Sequence, residues 1–307
     1  MMLNRVTLIK VMLVALLVAQ TTANKGYSQD GFPLLQGAYL GQQTPGVIPK
    51  VFAKGLVSIA GRYEYGVTFS ADLKEIYFSA QLPDKTADIY FSTVENNLWQ
   101  PFKKANFTQG DKAGEMEPFL SLDGKQMYFT AYNADFSDTK IWLANRKGKK
   151  WQSAKKLDSP INDEEVFFST LAKNGDLFFT DIFKSQTYYS AFINGHYGKP
   201  KKVAIDFGVH GFISPTRDYL LVDSRSREEA SRTDSDIYVY FKQPDQTWSK
   251  AINLGTDINS AFSETVPSVT PDGKFMFFSR YDEQHGISNL YWVSTEVIES
   301  LRPKSLR

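Results

Sequence analysis

Leu120-Ser-Leu-Asp-Gly-Lys-Gln-Met-Tyr-Phe-Thr130 is one of five related phrases in this chain of 307 residues. The other four are Phe69-Ser-Ala-Asp-Leu-Lys-Glu-Ile-Tyr-Phe-Ser79, Leu171-Ala-Lys-Asn-Gly-Asp-Leu-Phe-Phe-Thr180, Ile213-Ser-Pro-Thr-Arg-Asp-Tyr-Leu-Leu-Val222 and Val269-Thr-Pro-Asp-Gly-Lys-Phe-Met-Phe-Phe-Ser279. Asp-Gly and Asn-Gly supply the side-chain bonds and the positive φ of a tight hairpin, so each phrase predicts two strands joined by a turn. The turn residues are Asp72, Asp123, Asn174, Thr216 and Asp272, spaced by 51, 51, 42 and 56 residues. This period is typical of a radial array of small sheets.

The strand after each turn is apolar without alternation, as in Met127-Tyr-Phe and Met276-Phe-Phe. Such a run belongs to a strand that is covered on both faces, as when neighbouring blades of a propeller sandwich each other. Trp99, Trp151 and Trp248 recur at the start of the outer strands, where packing between blades explains them better than a ladder for ligand stacking. We therefore predict an all-β fold, a single five-bladed β-propeller of four-stranded antiparallel blades.

The fifth copy lacks a fourth strand, since the chain ends soon after Trp292. The segment Val47-Ile-Pro-Lys-Val-Phe-Ala53 resembles an outer strand, and we expect it to complete the last blade and close the ring. Closure removes the exposed edges that an open array would present. The predicted propeller covers 47–307, with blades at approximately 64–107, 115–162, 165–207, 210–259 and 264–295 plus 47–56.

The N-terminus has the pattern of a secretory signal. Arg5 and Lys10 precede the apolar run Val11 to Ala19, and small residues lead to a cleavage site after Ala23. The alternative, a membrane anchor, is disfavoured because the run is well short of the roughly 20 residues that a span needs. We therefore predict a signal peptide at 1–23, an N-terminal arm at 24–46 and no transmembrane segment in the mature chain.

Composition narrows the compartment and the partners. The chain has no cysteine, which excludes a lipid-bearing lipobox cysteine, disulfides and thiolate sites. The expected location is therefore the periplasm or the outside of a bacterial cell. The net charge is +1 and the charges are well mixed, so no nucleic-acid partner is expected. We expect a monomer.

The phrase Ser-x-Asp-Gly-Lys-x-x-Tyr-Phe, with the Ile-Tyr strand and the Trp-x-x-Pro that follow, resembles the TolB-like (WD-repeat-like) β-propeller repeat of exported bacterial proteins. The segment Leu254-Gly-Thr-Asp-Ile-Asn-Ser-Ala-Phe-Ser-Glu-Thr-Val-Pro267 is similar to the blade junctions of that family. The resemblance runs from about Gly37 to Val293 and implies a fold whose members mostly serve as binding or scaffold modules. Blade four departs from the pattern, with Thr216-Arg217 in place of Asp-Gly.

Candidate site residues come from counting back eight positions from each turn, to the start of the innermost strand. The residues found are Glu64, Glu115 and Glu264, with Glu165 one place out of register and His210 as the nearest polar residue in blade four. Innermost strands line the channel of a propeller, so these side chains are expected to form a ring at one mouth. The loops after the second strands lie on the same face and add Arg280 and His285.

Several chemistries suit this ring. Clustered carboxylates bind Ca²⁺ through oxygen ligands, and they also bind the hydroxyls of a sugar or the amine of a peptide. The structural alternative is that each Glu accepts backbone N–H bonds at a strand start or pairs with a neighbour such as Arg280. We expect no cofactor, with a channel Ca²⁺ ion as the open alternative; the metal-binding residues are unknown.

The sequence favours an exported, non-enzymatic module that binds a protein, a peptide or a glycan at this mouth. The alternative is a carbohydrate-active enzyme, a glycoside hydrolase or lyase, that uses channel carboxylates. No phosphate-binding Gly-Lys loop, Gly-x-Ser-x-Gly elbow or His-Glu-x-x-His motif occurs in the chain. The acids also occupy equivalent repeat positions, which favours a structural role, so no catalytic residue is assigned.

Overall fold

The computed structural model describes residues 31–227, 231–282 and 284–306. The predicted signal peptide (1–23) and residues 24–30 of the N-terminal arm lie outside the described residues. Among the helices of the described part, none is long and apolar enough to cross a membrane.

The described strands begin with β1 (Lys50–Val51) and then form successive antiparallel groups. The first group is β2 (Tyr63–Phe69), β3 (Glu75–Gln81), β4 (Asp88–Glu95), β5 (Leu98–Trp99) and β6 (Lys103–Lys104). The second is β7 (Gly114–Leu120), β8 (Gln126–Tyr132), β9 (Lys140–Lys147), β10 (Lys150–Trp151) and β11 (Lys155–Lys156). In both, the first three strands pair as a meander, and the two short strands pair with the third.

The third group is β12 (Val166–Leu171), β13 (Leu177–Asp181), β14 (Gln186–Ser190), β15 (Phe192–Ile193), β16 (His196–Tyr197) and β17 (Lys201–Lys202). The fourth is β18 (Val209–Ile213), β19 (Tyr219–Arg225), β20 (Ser235–Phe241) and β21 (Ile252–Asn253). The fifth is β22 (Ser263–Val269), β23 (Phe275–Asp282) and β24 (Ile287–Ser294). The helices are an α-helix, α1 (Glu296–Leu301), and 3₁₀ turns at Ala38–Gly41, Pro160–Asp163 and Lys304–Leu306.

The turn of each repeated phrase joins the first and second strands of a group. Ser121 donates to Asp123 at 2.7 Å, and Thr270 donates to Asp272 at 2.7 Å. The residue after the turn position needs positive φ, which glycine adopts without strain. In blade four Arg217 occupies this position with φ 61°, and Asp218 accepts the bonds from Ser214 and Thr216. The departure from Asp-Gly therefore preserves the turn.

The N-terminal strand completes the last blade, as the sequence predicts. β1 pairs antiparallel with β24, with Lys50 opposite Trp292 and Val51 opposite Tyr291. The first and last groups also meet directly, because β2 pairs with β24 at Tyr63 and Ser288. These contacts close the ring, and the all-β propeller class is confirmed.

The core lies between neighbouring groups. The second strands are buried on both faces, as at Tyr77 and Phe78 of β3 and at Phe277 and Phe278 of β23. Covering both faces explains why these strands lack alternation. Trp151 packs at the same kind of junction, with its ring under the guanidinium of Arg146 at 4.0 Å.

Every first strand carries a β-bulge at one repeat position, six residues before the turn residue. The register of each first strand with its second strand shifts at this point. The bulged residues have positive φ and are Gly66 (57°), Glu117 (56°), Phe168 (50°), His210 (46°) and Val266 (55°). A bulge redirects one side chain and ends the regular alternation of the strand. Here it redirects the side chains next to the channel.

Candidate functional site

The innermost strands of several blades converge on a cavity of about 240 Å³. Its lining comes from first and second strands and from β24, which places it in the central channel. The lining residues are Tyr63, Tyr65, Glu117, His210, Thr265, Val266, Ser279, Tyr281 and Ser288. Within this lining, Glu117 supplies a carboxylate and His210 supplies an imidazole.

The bulges at Glu117, Phe168, His210 and Val266 are each held by a side chain of the preceding blade. The backbone N–H of Glu117 donates to Ser79 Oγ at 2.6 Å, and that of His210 donates to Thr180 Oγ1 at 2.9 Å. In the last blade the N–H of Val266 donates instead to Asp223 Oδ1 at 3.0 Å. Asp223 thus occupies the repeat position that carries a hydroxyl in the other blades, and it brings a negative charge against His210.

Three of these residues form an ionic cluster across the channel. His210 Nδ1 lies 2.7 Å from Asp223 Oδ1, and His210 Nε2 lies 3.6 Å from Glu117 Oε1. Glu117 and Asp223 are buried, with 4% and 2% of their surface exposed. One imidazole therefore lies between carboxylates supplied by blades two and four.

The cluster holds His210 in its charged form. Burial alone would lower the pKa of His210, but the charges of Asp223 and Glu117, together with the hydrogen bond to Asp223, outweigh it and raise the pKa to about 10. The imidazole also packs edge-on against Phe167 and Phe168, with ring centroids 5.0 and 5.2 Å apart. At neutral pH it is an imidazolium, which cannot act as a general base.

Glu117 is fixed by several contacts. Its Oε2 accepts the backbone N–H of Phe168 at 2.9 Å and the hydroxyl of Thr130 at 3.1 Å. A Cβ added at Gly66 would lie 3.1 Å from the Cα of Glu117, so the glycine leaves room for this close approach. The carboxylate is therefore positioned by three neighbouring blades before any ligand binds.

A second, wider cavity of about 730 Å³ opens at the same mouth and shares Tyr65 and Glu117 with the first. Its lining residues are Tyr65, Gln81, Asp84, Lys85, Thr86, Ala113, Met116, Glu117, Tyr132, Ala134, Phe136 and Phe167. Tyr132 is held by the N–H of Ala87 at 2.9 Å, and its ring occupies the space over Gly114. Phe136 packs against it at 4.7 Å. We call this cavity, which Glu117 helps to line, the mouth cavity.

The predicted ring residues Glu115 and Glu165 bind backbone groups. Glu115 Oε1 accepts the N–H and the hydroxyl of Thr108 at 2.7 Å, and its Oε2 accepts the N–H of Phe107 at 3.1 Å. Glu165 Oε1 accepts the N–H of Asp138 at 2.9 Å. Neither residue lines either of the two cavities. Both instead accept backbone N–H bonds near the start of a strand, which is the structural role that the sequence left open for them.

Glu64 and Glu264 begin the first strands of the two groups that close the ring, and each pairs with an arginine. Arg62 Nε donates to Glu64 Oε1 at 2.7 Å, and Arg280 Nε donates to Glu264 Oε1 at 2.6 Å. Burial raises the pKa of Glu64 to about 7 despite Arg62, and it also raises the pKa of Glu264. No donor among the described residues reaches Glu64 Oε2. Neither carboxylate lines the two cavities.

Arg280 and His285 likewise lie outside the two cavities. Arg280 also donates to the carbonyl of Ile258 at 2.9 Å and lies over the ring of Tyr291 at 4.4 Å. His285 is exposed and its Nδ1 lies 2.7 Å from Asp282 Oδ2. Of the seven predicted residues, His210 is therefore the one that the structure places in the channel cavity.

The sequence did not point to Glu117, which lines the channel cavity, or to Asp223, which pairs with His210. Side chains alternate along a strand, so positions seven and nine before the turn face the channel, as Tyr63, Tyr65 and Thr265 do. Position eight, which carries Glu64, Glu115 and Glu264, faces the other way. For Glu117 the missed signal is the bulge position, where the five copies read Gly, Glu, Phe, His and Val, and for Asp223 it is an acid at the second-strand position that carries a hydroxyl in the other copies.

Exposed apolar side chains lie on the same face of the ring as this mouth. Leu82, Phe136 and Phe183 lie in the loops that follow second strands, and Phe262 precedes β22. Starts of first strands and ends of second strands share one face in a meander, so all four belong to the face where the mouth cavity opens. Phe183 is 76% exposed.

Within the described ranges, no group of three or more His, Cys, Asp and Glu residues is arranged to hold a metal ion. The prediction of a Ca²⁺ ion stays a prediction.

No protein-family model matches the chain, and no curated protein sequence matches it. Among solved structures it is similar to a glycosyl hydrolase from Bacteroides ovatus, with a TM-score of 0.53, 10% identity and coverage of 83% of this chain and 95% of that one. The catalytic domain of Coprinopsis cinerea GH62 α-L-arabinofuranosidase gives a TM-score of 0.50, 7% identity and coverage of 81% and 97%.

TolB from Acinetobacter baumannii gives a TM-score of 0.45 and 16% identity. The match covers 76% of this chain, which spans 54% of the length of that structure. At these identities the likeness to the Bacteroides ovatus and Coprinopsis cinerea structures shows the fold alone, a β-propeller.

Proposed function

We propose that the protein is an exported, non-enzymatic binding or scaffold module that recognises a protein, a peptide or a glycan at the mouth of its channel. The TolB-like character of its repeat is part of this proposal and rests on the phrase Ser-x-Asp-Gly-Lys-x-x-Tyr-Phe. Export rests on the pattern of residues 1–23.

The observation that carries the proposal is the mouth cavity itself, together with its apolar surroundings. Its volume of about 730 Å³ is within the usual range of ligand sites. Exposed apolar side chains grouped around a cavity are typical of interaction surfaces. Leu82, Phe136, Phe183 and Phe262 supply such a group on one face.

The arrangement of the channel cluster supports binding over catalysis. Asp223 Oδ1 is engaged by His210 and by the N–H of Val266, and Glu117 Oε2 is engaged by Phe168 and Thr130. The hydroxyls of Ser279 and Ser288 both donate to the carbonyl of Glu64. These bonds hold the blades together and occupy groups that a nucleophile or a base would need free.

Binding is tested with the intact protein on peptide and glycan arrays, with variants of the mouth. Replacing Phe136→Ala or Phe183→Ala should weaken a captured ligand by at least fivefold, because each removes exposed apolar area from the mouth. Leu122→Ala is the matched control, since Leu122 is exposed in the turn between β7 and β8 on the opposite face. A ligand that is lost in Leu122→Ala and kept in both mouth variants would contradict the proposal.

A carbohydrate-active enzyme is the second candidate, because Glu117 in the channel cavity and Asp223 place two carboxylates on either side of His210. Glycoside hydrolases act through a carboxyl pair on either side of the scissile bond. Release of reducing sugar from a panel of polysaccharides, lost in both Glu117→Gln and Asp223→Asn, would establish this activity and overturn the non-enzymatic proposal.

A further inference from the structure

We propose that the mouth cavity binds an ammonium group, the side chain of a lysine carried by a peptide or protein ligand, with Glu117 as its counter-ion. This inference rests on the proposed function and narrows its ligand class. The cavity, its rings and its charges each contribute to the assignment.

The charges next to the cavity are on balance negative. The ionisable carboxylates and amines in its lining are Asp84, Lys85 and Glu117, and the pair His210 and Asp223 lies directly behind Glu117. With His210 protonated, three negative charges face two positive ones. Asp84 and Lys85 are both exposed, so water and salt screen their opposite charges, whereas Glu117 is buried and is screened much less.

Glu117 has one oxygen available to a ligand. Its Oε2 already accepts two hydrogen bonds, but the nearest charged partner of Oε1 is His210 Nε2 at 3.6 Å, longer than a hydrogen bond. An ammonium that enters the mouth cavity could donate to Oε1 at normal distance. A charge-assisted bond of this kind is stronger than one between neutral groups.

The walls of the cavity suit the rest of a lysine side chain. Tyr65, Tyr132, Phe136 and Phe167 line it together with Met116. Aromatic faces attract ammonium groups, and apolar walls accommodate the methylene stem that carries the charge. Tyr132 and Phe136 pack against each other at 4.7 Å, so one side of the cavity is a continuous aromatic wall.

The negative charge of Glu117 reaches these walls. Burial raises the pKa of the Tyr65 hydroxyl, and the charge of Glu117 raises it further. Burial also raises the pKa of Tyr132, where the hydrogen bond from Ala87 opposes the shift and the charge of Glu117 adds to it. Both tyrosines therefore sense the field that would attract a cation.

A peptide is favoured over a free amine because the apolar side chains continue beyond the cavity. Leu82 lies in the loop that supplies Asp84 and Lys85, and Phe136 reaches from the aromatic wall to the surface. A lysine with apolar neighbours in its own chain would fill the cavity and cover these exposed side chains together. Removing this apolar surface from water favours binding of the peptide.

The test is calorimetric titration of the intact protein with a capped tripeptide, leucine-lysine-phenylalanine, and with the same peptide carrying norleucine in place of lysine. The lysine peptide should bind at least tenfold more tightly at low salt, and 0.5 M NaCl should reduce this advantage. Glu117→Gln should abolish the advantage. Glu115→Gln, on the same strand but bonded to Phe107 and Thr108, should retain it.

Phe136→Ala should weaken both peptides, and since its ring is partly exposed the variant is expected to fold. Equal affinity for the two peptides, no binding of the lysine peptide, or a lysine advantage that survives in Glu117→Gln would overturn the inference. A neutral peptide or oligosaccharide that binds, is weakened by Phe136→Ala and ignores Glu117→Gln would overturn this inference and leave the proposed function standing. A ligand indifferent to Phe136→Ala and Phe183→Ala contradicts the proposed function as well.

Discussion

At the scale of single residues, the channel depends on one imidazolium between two carboxylates. His210 is held by Asp223 and Glu117, and both His210 and Glu117 occupy the bulge positions of their strands. Burying either carboxylate alone would be costly, because an unpaired charge inside a protein loses its hydration. The protonated ring offsets this cost, so the cluster links blades two and four only while His210 carries its proton.

This dependence predicts a change of stability with pH. The folded pKa of about 10 lies above the unfolded value of roughly 6.5, so protonation favours the folded state. The contribution is complete below about pH 6.5 and is lost as the pH rises through 10. Urea unfolding of wild type and His210→Asn should therefore differ most near pH 6.5, and the difference should fall toward pH 10 by an amount on the order of 4 kcal/mol.

Asp223→Asn is the control for this prediction, because it removes the largest group that raises the pKa of His210. In that background, replacing His210 should produce a much flatter difference between pH 6.5 and 10. Parallel stability curves for wild type and His210→Asn across this window would contradict the assigned role of the imidazolium.

At the scale of elements, the bulge of the first strand decides which side chains reach the channel. Gly66 shows the requirement most clearly, because it combines positive φ with close approach to Glu117. An alanine there would be strained by its backbone conformation and would also press on the neighbouring strand. Gly124 has a similar φ of 68°, but a Cβ there meets no atom within 4 Å.

The pair of variants Gly66→Ala and Gly124→Ala separates these two effects. Gly124→Ala should cost about 1 kcal/mol of unfolding free energy, the usual penalty for a left-handed alanine. Gly66→Ala should cost at least about 1 kcal/mol more, since overpacking adds to the same backbone strain. Chemical denaturation measures both. Equal costs would show that the neighbouring strand yields without strain at this point.

The repeat phrase made the strands and turns predictable, since turn chemistry and two-sided apolar runs are local signals. It did not reveal the ligand-facing residues, because these depend on strand alternation and on the bulge. Counting eight residues back reached Glu115, whose carboxylate accepts backbone bonds from Phe107 and Thr108. Glu117, two residues later, lines the cavity. A bulge arises from pairing between strands, and no single repeat of the sequence displays it.

At the scale of the whole molecule, the last blade depends on a segment that lies far from that blade in the sequence. Phe52 follows β1 and is fully buried, with ring centroids 5.0 Å from Phe277 and 5.2 Å from Trp292 of the last blade. It also lies 6.2 Å from Phe69 of the first blade. The sequence predicted the closing strand from its resemblance to other outer strands, but the aromatic junction required the three-dimensional arrangement.

Closure should therefore dominate the stability of the fold. Phe52→Ala is expected to cost about 3–5 kcal/mol, the usual loss for a large aromatic side chain removed from a packed core. Deleting residues through Ala53 removes β1 as well, leaves the edge of β24 unpaired, and should lower the melting temperature further. Val47→Ala is the matched control, because Val47 precedes the same strand and is half-exposed. Calorimetry of all three variants decides the point: a truncated protein that melts as cooperatively and as high as the intact chain would mean that the remaining blades hold the ring without the N-terminal strand.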